Sequence, residues 1–291
     1  MKKLTLAMVV AVLLLITFSG CVKEKKVESF EIHEWGVFLK GYDCNTTSVL
    51  TESPPLPTTG VKKPVIYFHS LKNVTSVRVE VHSIRNATTI PNATIADNKI
   101  IWNVTVENDS IKVGNEETCY DHLFYEGEID FLTYVTILVT DNNSSISYYI
   151  KNNESYTISD AIFVYGKGRD WIECVYFGDL QPGEDKIVND SDPDNILNVS
   201  EAKKVIYDAL ISRGLTDDEA KALLDYWGDW WFNFLEWGFY SPSNLTYTRL
   251  IYIIPQTVYD QLLPIAVTPE PSSIIRVGVV TVTNALPSSL E

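Results

Sequence analysis

An acidic stretch from Asp190 to Glu201 has residue types and spacing suited to binding a cation. It matches the calcium-loop pattern D-x-[DN]-x-[DN]-G-x5-E at positions one, three, five and twelve, with Asn195 in place of the glycine. The candidate ligands are Asp190, Asp192, Asp194, the carbonyl of Ile196, Asn198 and Glu201. Calcium takes about six to eight hard oxygen ligands, so the stretch predicts a Ca²⁺ site. The alternative is an acidic turn whose charges complement the following helix.

A second candidate is the pair His33-Glu34, whose side chains can act as an acid, a base or a metal ligand. Adjacent strand residues point to opposite faces, so the two act together only if a bulge at Gly36 re-aims them. The alternative is a structural role beside Trp35. The other histidines, His69, His82 and His122, are dispersed on strand-like segments, and the sequence alone gives no support for a histidine metal site.

Aromatic residues are concentrated between Trp227 and Phe239. Aromatic rings stack on sugars and anchor protein partners, but at helical spacing they also form cores. We expect Trp227, Trp231 and Phe234 to pack in the core. Trp237 and Phe239, which follow the helix, are the predicted exposed pair for binding a surface protein or glycan.

The N-terminus has the features of an export signal. Lys2 and Lys3 precede an apolar run over residues 4–18, which is shorter than the roughly twenty residues of a membrane-spanning helix. The run ends in Ser19-Gly20-Cys21, which resembles the lipobox of prokaryotic lipoproteins. The resemblance implies a signal peptide over residues 1–20, lipidation of Cys21 and a lipid anchor in the cell membrane. The alternative is an uncleaved anchor helix, and both place the chain on the extracytoplasmic face.

The bulk composition excludes some classes of function. The 291 residues are 45% hydrophobic and 21% charged, with a net charge of −15. This composition supports a folded core, and the acidic charge argues against a nucleic-acid partner. Asn-x-Ser/Thr sequons are abundant, which together with the lipobox suggests an archaeal-type surface glycoprotein.

Three cysteines follow Cys21, and their spacing does not resemble a zinc site. An exported chain permits a disulfide. We predict a Cys44–Cys119 bridge, because both residues lie in polar, loop-like surroundings, and a buried thiol at Cys174.

The elements that must position these residues are mainly strands. Short alternating or apolar runs separated by turn signals predict a β-sandwich, immunoglobulin-like in part, over residues 30–189. Residues 21–29 are a charged tether. Residues 190–291 combine the acidic loop, an αα-hairpin and C-terminal strands packed on the sandwich. Within the hairpin, Gly214 is a helix stop, and Thr216 with Glu219 forms a capping box.

Several sequence blocks resemble those of a family of exported bacterial and archaeal proteins. They are HEWGVF at 33–38, KPVIYF at 63–68, LFY at 123–125, WGDWWF at 227–232, TRLIYIIP at 248–255 and RVG at 276–278. In order, they resemble the family's HEWGTF, (K/T)PV(I/L)YF, FYR, W-x-D-S-W-F, TRVLYIVP and RV-x-VG blocks. The resemblance implies export but no known activity, so it transfers no catalytic residue. We therefore expect a surface binding or structural protein. The alternative is a hydrolase of envelope polymers, with His33, Glu34 and the acidic loop lining one cleft.

Overall fold

The computed structural model of the chain describes residues 30–41, 60–70, 73–107, 109–114, 117–141, 145–167, 172–190, 193–232 and 245–287. The predicted signal peptide, Cys21 and the tether lie outside these residues. Within the described ranges, no helix is long and apolar enough to cross a membrane.

Strands dominate the described chain. They are β1 Glu31–Gly41, β2 Gly60–His69, β3 Val74–His82, β4 Arg85–Ile90, β5 Thr94–Ala96, β6 Lys99–Glu107, β7 Ser110–Val113, β8 Leu123–Glu128, β9 Val135–Asp141, β10 Ile146–Asn152, β11 Ile158–Lys167, β12 Ile172–Leu180, β13 Asp185–Asn189, β14 Ile196–Leu197, β15 Leu245–Ile254, β16 Ile265–Thr268 and β17 Ser273–Pro287. The helices are α1 Val199–Ser212, α2 Asp217–Phe232 and α3 Gln256–Leu262.

The described strands form a large sheet of nine strands and two smaller sheets. The large sheet has the order β14-β12-β11-β15-β17-β1-β2-β8-β4. Strand β1 pairs in parallel with β17 and antiparallel with β2. Strands β15 and β17 lie at the centre of this sheet, so residues 190–291 share the core of residues 30–189 as well as packing on it.

The large sheet is the middle layer of the molecule. One face packs against α1 and α2 through a cluster that includes Trp35, Val37, Leu210 and Trp231. The other face packs against the two smaller sheets, β13-β10-β9 and β16-β3-β6-β5. The predicted mainly β, sandwich-like fold with an αα-hairpin and a returning strand is confirmed.

Local sequence signals explain the helical pair. Asn198 caps α1, and Gly214 follows its end with φ +97°. A Cβ atom on Gly214 would lie 2.8 Å from Cδ1 of Ile275, so both conformation and space favour glycine there. In α2, Trp227 and Trp231 are 4% and 0% exposed, because the aromatic stripe faces the sheet. The core role predicted for these two tryptophans is confirmed, and Phe234 lies outside the described residues.

A buried ion pair ties β1 to β17. The parallel register places Glu34 directly beside Arg276, and Nε of Arg276 donates to Oε2 of Glu34 at 2.6 Å. Tyr125 and Tyr259 donate their hydroxyl protons to Oε1 of the same carboxylate. Burial and then the negative charge of Glu34 raise the pKa of both phenols, so both keep their protons. Both oxygens of the Glu34 carboxylate therefore accept hydrogen bonds inside the sandwich.

Removing one partner of this pair should strongly destabilise the fold. We expect Arg276→Met to lower the free energy of unfolding by about 3–5 kcal/mol, because it leaves the Glu34 charge buried without its counter-ion. Denaturant unfolding measures the loss. Arg78→Met, which removes a partly exposed pair with Glu80, is the control and should change stability little. A loss no greater than that of the control would contradict this account of the core.

Candidate functional site

Three titratable side chains lie in contact between the large sheet and α2. Nδ1 of His33, on β1, lies 2.9 Å from Oε2 of Glu219, and Nε2 of His69, at the end of β2, lies 2.8 Å from Oε1. The two imidazole ring centroids are 4.3 Å apart. We call these three residues the His33–Glu219–His69 cluster.

Strand pairing brings the two histidines to the same face. In the antiparallel β1–β2 register His33 lies opposite Tyr67, and Glu31 lies opposite His69. Directly opposed residues point to the same side of a sheet, which here is the side covered by the helices. The two histidines are therefore diagonal neighbours, close enough for both to reach one side chain above them.

The helix supplies that side chain at its first turn. The backbone N–H of Thr216 donates to Oε2 of Glu219 at 2.7 Å, and the N–H of Glu219 donates to Oγ1 of Thr216 at 3.4 Å. The predicted capping box is confirmed. One carboxylate thus caps α2 and also accepts hydrogen bonds from two strands of the sheet.

The electrostatics of the cluster favour a charged carboxylate. Burial raises the pKa of Glu219, but hydrogen bonds from His33, His69 and Thr216 outweigh it and hold that pKa at about 2. The hydrogen bond to Glu219 raises the pKa of His69 against the opposing effect of burial. At neutral pH the Glu219 carboxylate is ionised, so each imidazole nitrogen facing it donates a proton.

Exposure within the cluster is uneven. The side chains of His33 and Glu219 are 7% and 3% exposed, whereas that of His69 is 33% exposed. Nε2 of His33 is buried and has no hydrogen-bond partner among the described residues, and its distance to Oε2 of Glu31 is 3.9 Å. The cluster therefore reaches solvent at His69 and contains one unsatisfied polar atom at His33. Two imidazoles and a carboxylate can exchange protons or coordinate a transition metal.

The structure separates His33 from Glu34. A register shift between Trp35 and Val37 places Gly36 against two residues of β2, Lys63 and Pro64, so the extra residue lies on β2 and neither His33 nor Glu34 is re-aimed. His33 faces the helices, whereas Glu34 faces the sandwich interior and is fully buried. The single cleft expected to contain both residues is not formed, because strand alternation sends them to opposite layers.

The acidic stretch resembles a calcium loop in some features and differs from it in others. Oδ1 of Asp190 accepts from the N–H of Ile146 at 2.8 Å, which ties the start of the loop to β10. Asn195 has φ +55°, the left-handed conformation that the glycine position of a calcium loop requires. Ile196 lies in β14 opposite Val175. A strand, β13, precedes the loop where a calcium hand has a helix.

Two proposed calcium ligands have a structural role at the start of α1. Asn198 and Glu201 form a reciprocal capping box at the start of α1, with both hydrogen bonds 2.9 Å long. Of the remaining ligands, Asp194 is exposed and Asp192 lies outside the described residues. The calcium site stays a prediction, and binding through Glu201 would require that side chain to leave the cap.

The remaining sequence candidates are only partly described. Trp237, Phe239 and Cys44 lie outside the described residues, so the aromatic binding pair and the Cys44–Cys119 bridge stay predictions. Cys119 is exposed and Cys174 is buried. The buried thiol expected at Cys174 is confirmed, and burial raises its pKa to about 12.

This difference predicts selective thiol chemistry. At pH 8, iodoacetamide should not modify Cys174 in the native protein, because a buried thiol with so high a pKa forms little thiolate. If the predicted bridge exists, Cys119 should react only after reduction, whereas Cys174 should react only after unfolding in guanidinium. Peptide mass spectrometry measures each modification. Native labelling of Cys174 would contradict the prediction, and labelling of Cys119 without reduction would exclude the bridge.

Sequence reasoning missed the partners of Glu219. It identified this residue as a helix cap, but its spacing of four from Leu223, and then from Trp227 and Trp231, places it on the buried stripe. A buried carboxylate needs a hydrogen-bond donor. His33 on β1 and His69 on β2 lie on the sheet face that this helix covers, so they can donate to it. That combination was the available signal.

No family model and no curated protein matches the chain. Among solved structures, it is similar to the yeast delta-COP-I mu-homology domain, with a TM-score of 0.39 and 7% identity over 88% of this chain and 95% of that domain. The same yeast domain complexed with a Dsl1 WxWxV peptide matches with a TM-score of 0.38 and 6% identity over 88% and 96%.

Proposed function

We propose that this chain is a lipid-anchored, extracytoplasmic protein of a prokaryotic cell membrane, with a binding or structural role toward a surface protein or glycan. The observation that carries the choice of role is the position of Glu34. This carboxylate is held inside the sandwich by Arg276 and two tyrosines, away from His33 and from solvent. A hydrolase of envelope polymers that uses His33 and Glu34 together is therefore the less favoured alternative.

The proposed anchor lies in the segment of sequence that precedes the folded body. Residues 21–29 join the lipidated cysteine to Phe30, which is buried at the start of β1. Nine residues can extend about 30 Å, enough to hold the body beyond the lipid headgroups. Each buried CH₂ group of an acyl chain contributes about 0.8 kcal/mol to membrane binding.

The anchor can be tested with one substitution. We expect Cys21→Ala, expressed as the full chain in a prokaryotic host, to move from the detergent phase to the aqueous phase in Triton X-114 partitioning, because it cannot be lipidated. Cys119→Ala is the matched control and should stay in the detergent phase. If Cys21→Ala also stays there and the intact mass of the unaltered protein shows an uncleaved chain without acyl groups, the N-terminal segment is an anchor helix and the lipoprotein proposal is wrong.

A calcium-supported role remains the second proposal, and the left-handed Asn195 is the observation that favours it. The loop lies directly before α1, so an ion bound there would fix the approach to the helical pair. Calcium binding to the folded state alone would then stabilise the protein by mass action.

We expect millimolar Ca²⁺ to raise the melting temperature of the full-length protein, and Asp194→Ala, which removes the ligand oxygens at position five, to abolish that rise. Asp194 is the cleanest position to change, because its side chain is exposed and has no described hydrogen bond whose loss would itself lower stability. Asp185→Ala, at an exposed acidic position on neighbouring β13, is the control and should keep the full response. Differential scanning calorimetry with and without EDTA measures the shift. Equal melting temperatures in calcium and EDTA would reduce the loop to an acidic turn.

A further inference from the structure

We propose that the His33–Glu219–His69 cluster is a binding site for a divalent transition-metal ion, with Zn²⁺ the ion that best suits its donors. This inference is independent of the lipid anchor and of the acidic loop. It assigns a ligand to a place that the sequence patterns did not identify.

The three side chains provide ligand atoms that zinc commonly binds. One ligand atom from each of the three residues can be chosen so that all lie within 4.8 Å of one another. Zinc binds histidine nitrogen and carboxylate oxygen at about 2.0–2.2 Å, so its ligand atoms lie roughly 3.3 Å apart. The two imidazole–carboxylate distances of 2.9 and 2.8 Å are already on this scale. A metal would replace the protons that the two histidines share with Glu219.

The second argument is the unsatisfied nitrogen of His33. With Nδ1–H donated to Glu219, Nε2 is left buried without a partner in the part of the chain that the structure describes, which is an unfavourable state for a polar atom. A metal on Nδ1 places the ring proton on Nε2, which then faces Oε2 of Glu31 at 3.9 Å. Metal-bound histidines usually donate their other N–H to a carboxylate or a carbonyl. Glu31 is half exposed and can move to accept it.

The types of ligand atom also indicate which metal would bind. Two imidazole donors favour zinc and its transition-metal neighbours over calcium, which prefers oxygen alone. Three protein ligands leave one of the four zinc positions for water or for a donor from outside. His69 is the cluster member that reaches solvent, so that position would be accessible from its side. The ion would also link β1, β2 and α2.

The test is a Zn²⁺ titration of the full-length protein in detergent micelles after removal of metals with EDTA and dialysis. Isothermal titration calorimetry should show one site per chain. His69→Ala should weaken its affinity by at least about tenfold, because a direct ligand matters at least as much as the outer partners of a metal site. His82→Ala, a partly exposed histidine beside Glu80, is the matched control and should leave the affinity unchanged.

A spectroscopic measurement on the unaltered protein avoids dependence on variants that fold poorly. Co²⁺ should give visible absorption typical of nitrogen and oxygen ligands, without the near-ultraviolet thiolate band, and Zn²⁺ should displace it. Absence of any Zn²⁺ binding to the unaltered chain would overturn the proposal. Undiminished affinity in His69→Ala, or a thiolate band, would overturn it as well, by placing the metal elsewhere.

Discussion

The fold depends on the need to neutralise a charge at the centre of its largest sheet. Glu34 lies on a central strand with its carboxylate in the sandwich core, where an unpaired charge would be very costly. Its counter-ion comes from the neighbouring parallel strand, at the directly opposed position Arg276. A shift of one residue between β1 and β17 would turn the two charges to opposite faces. The ion pair therefore specifies register as well as contributing contacts.

The preceding residue of β1 directs a polar side chain to the opposite layer. His33 points toward the helices, and Glu219 meets it there while also capping α2 and binding His69. This carboxylate thus helps to position the helical pair on the sheet. Two neighbouring residues of β1 therefore have polar partners on opposite faces of the large sheet, Glu219 for His33 and Arg276 with two tyrosines for Glu34. This division explains why the pair cannot act as one catalytic unit.

Local features could be predicted from the sequence, whereas the partnerships could not. The Thr216–Glu219 cap, the Gly214 stop and the buried stripe of α2 each depend on a few neighbouring residues. The pairs His33–Glu219 and Glu34–Arg276 join residues separated by 186 and 242 positions, and no local spacing encodes them. The acidic loop is ambiguous for a different reason, because its residues match two local patterns. Its pattern matches a calcium loop, yet Asn198 and Glu201 also satisfy the simpler requirements of a helix cap.

The parallel pairing of β1 with β17 has a consequence for biogenesis. These strands come from opposite ends of the folded body, and β17 is the neighbour that separates β1 from β15. The central sheet cannot close until β17 has been synthesised, however early β1 becomes available. Until then the Glu34 carboxylate lacks the counter-ion that allows its burial. Folding of the large sheet is therefore coupled to synthesis of β17, since long-range strand pairing has to wait for both partners.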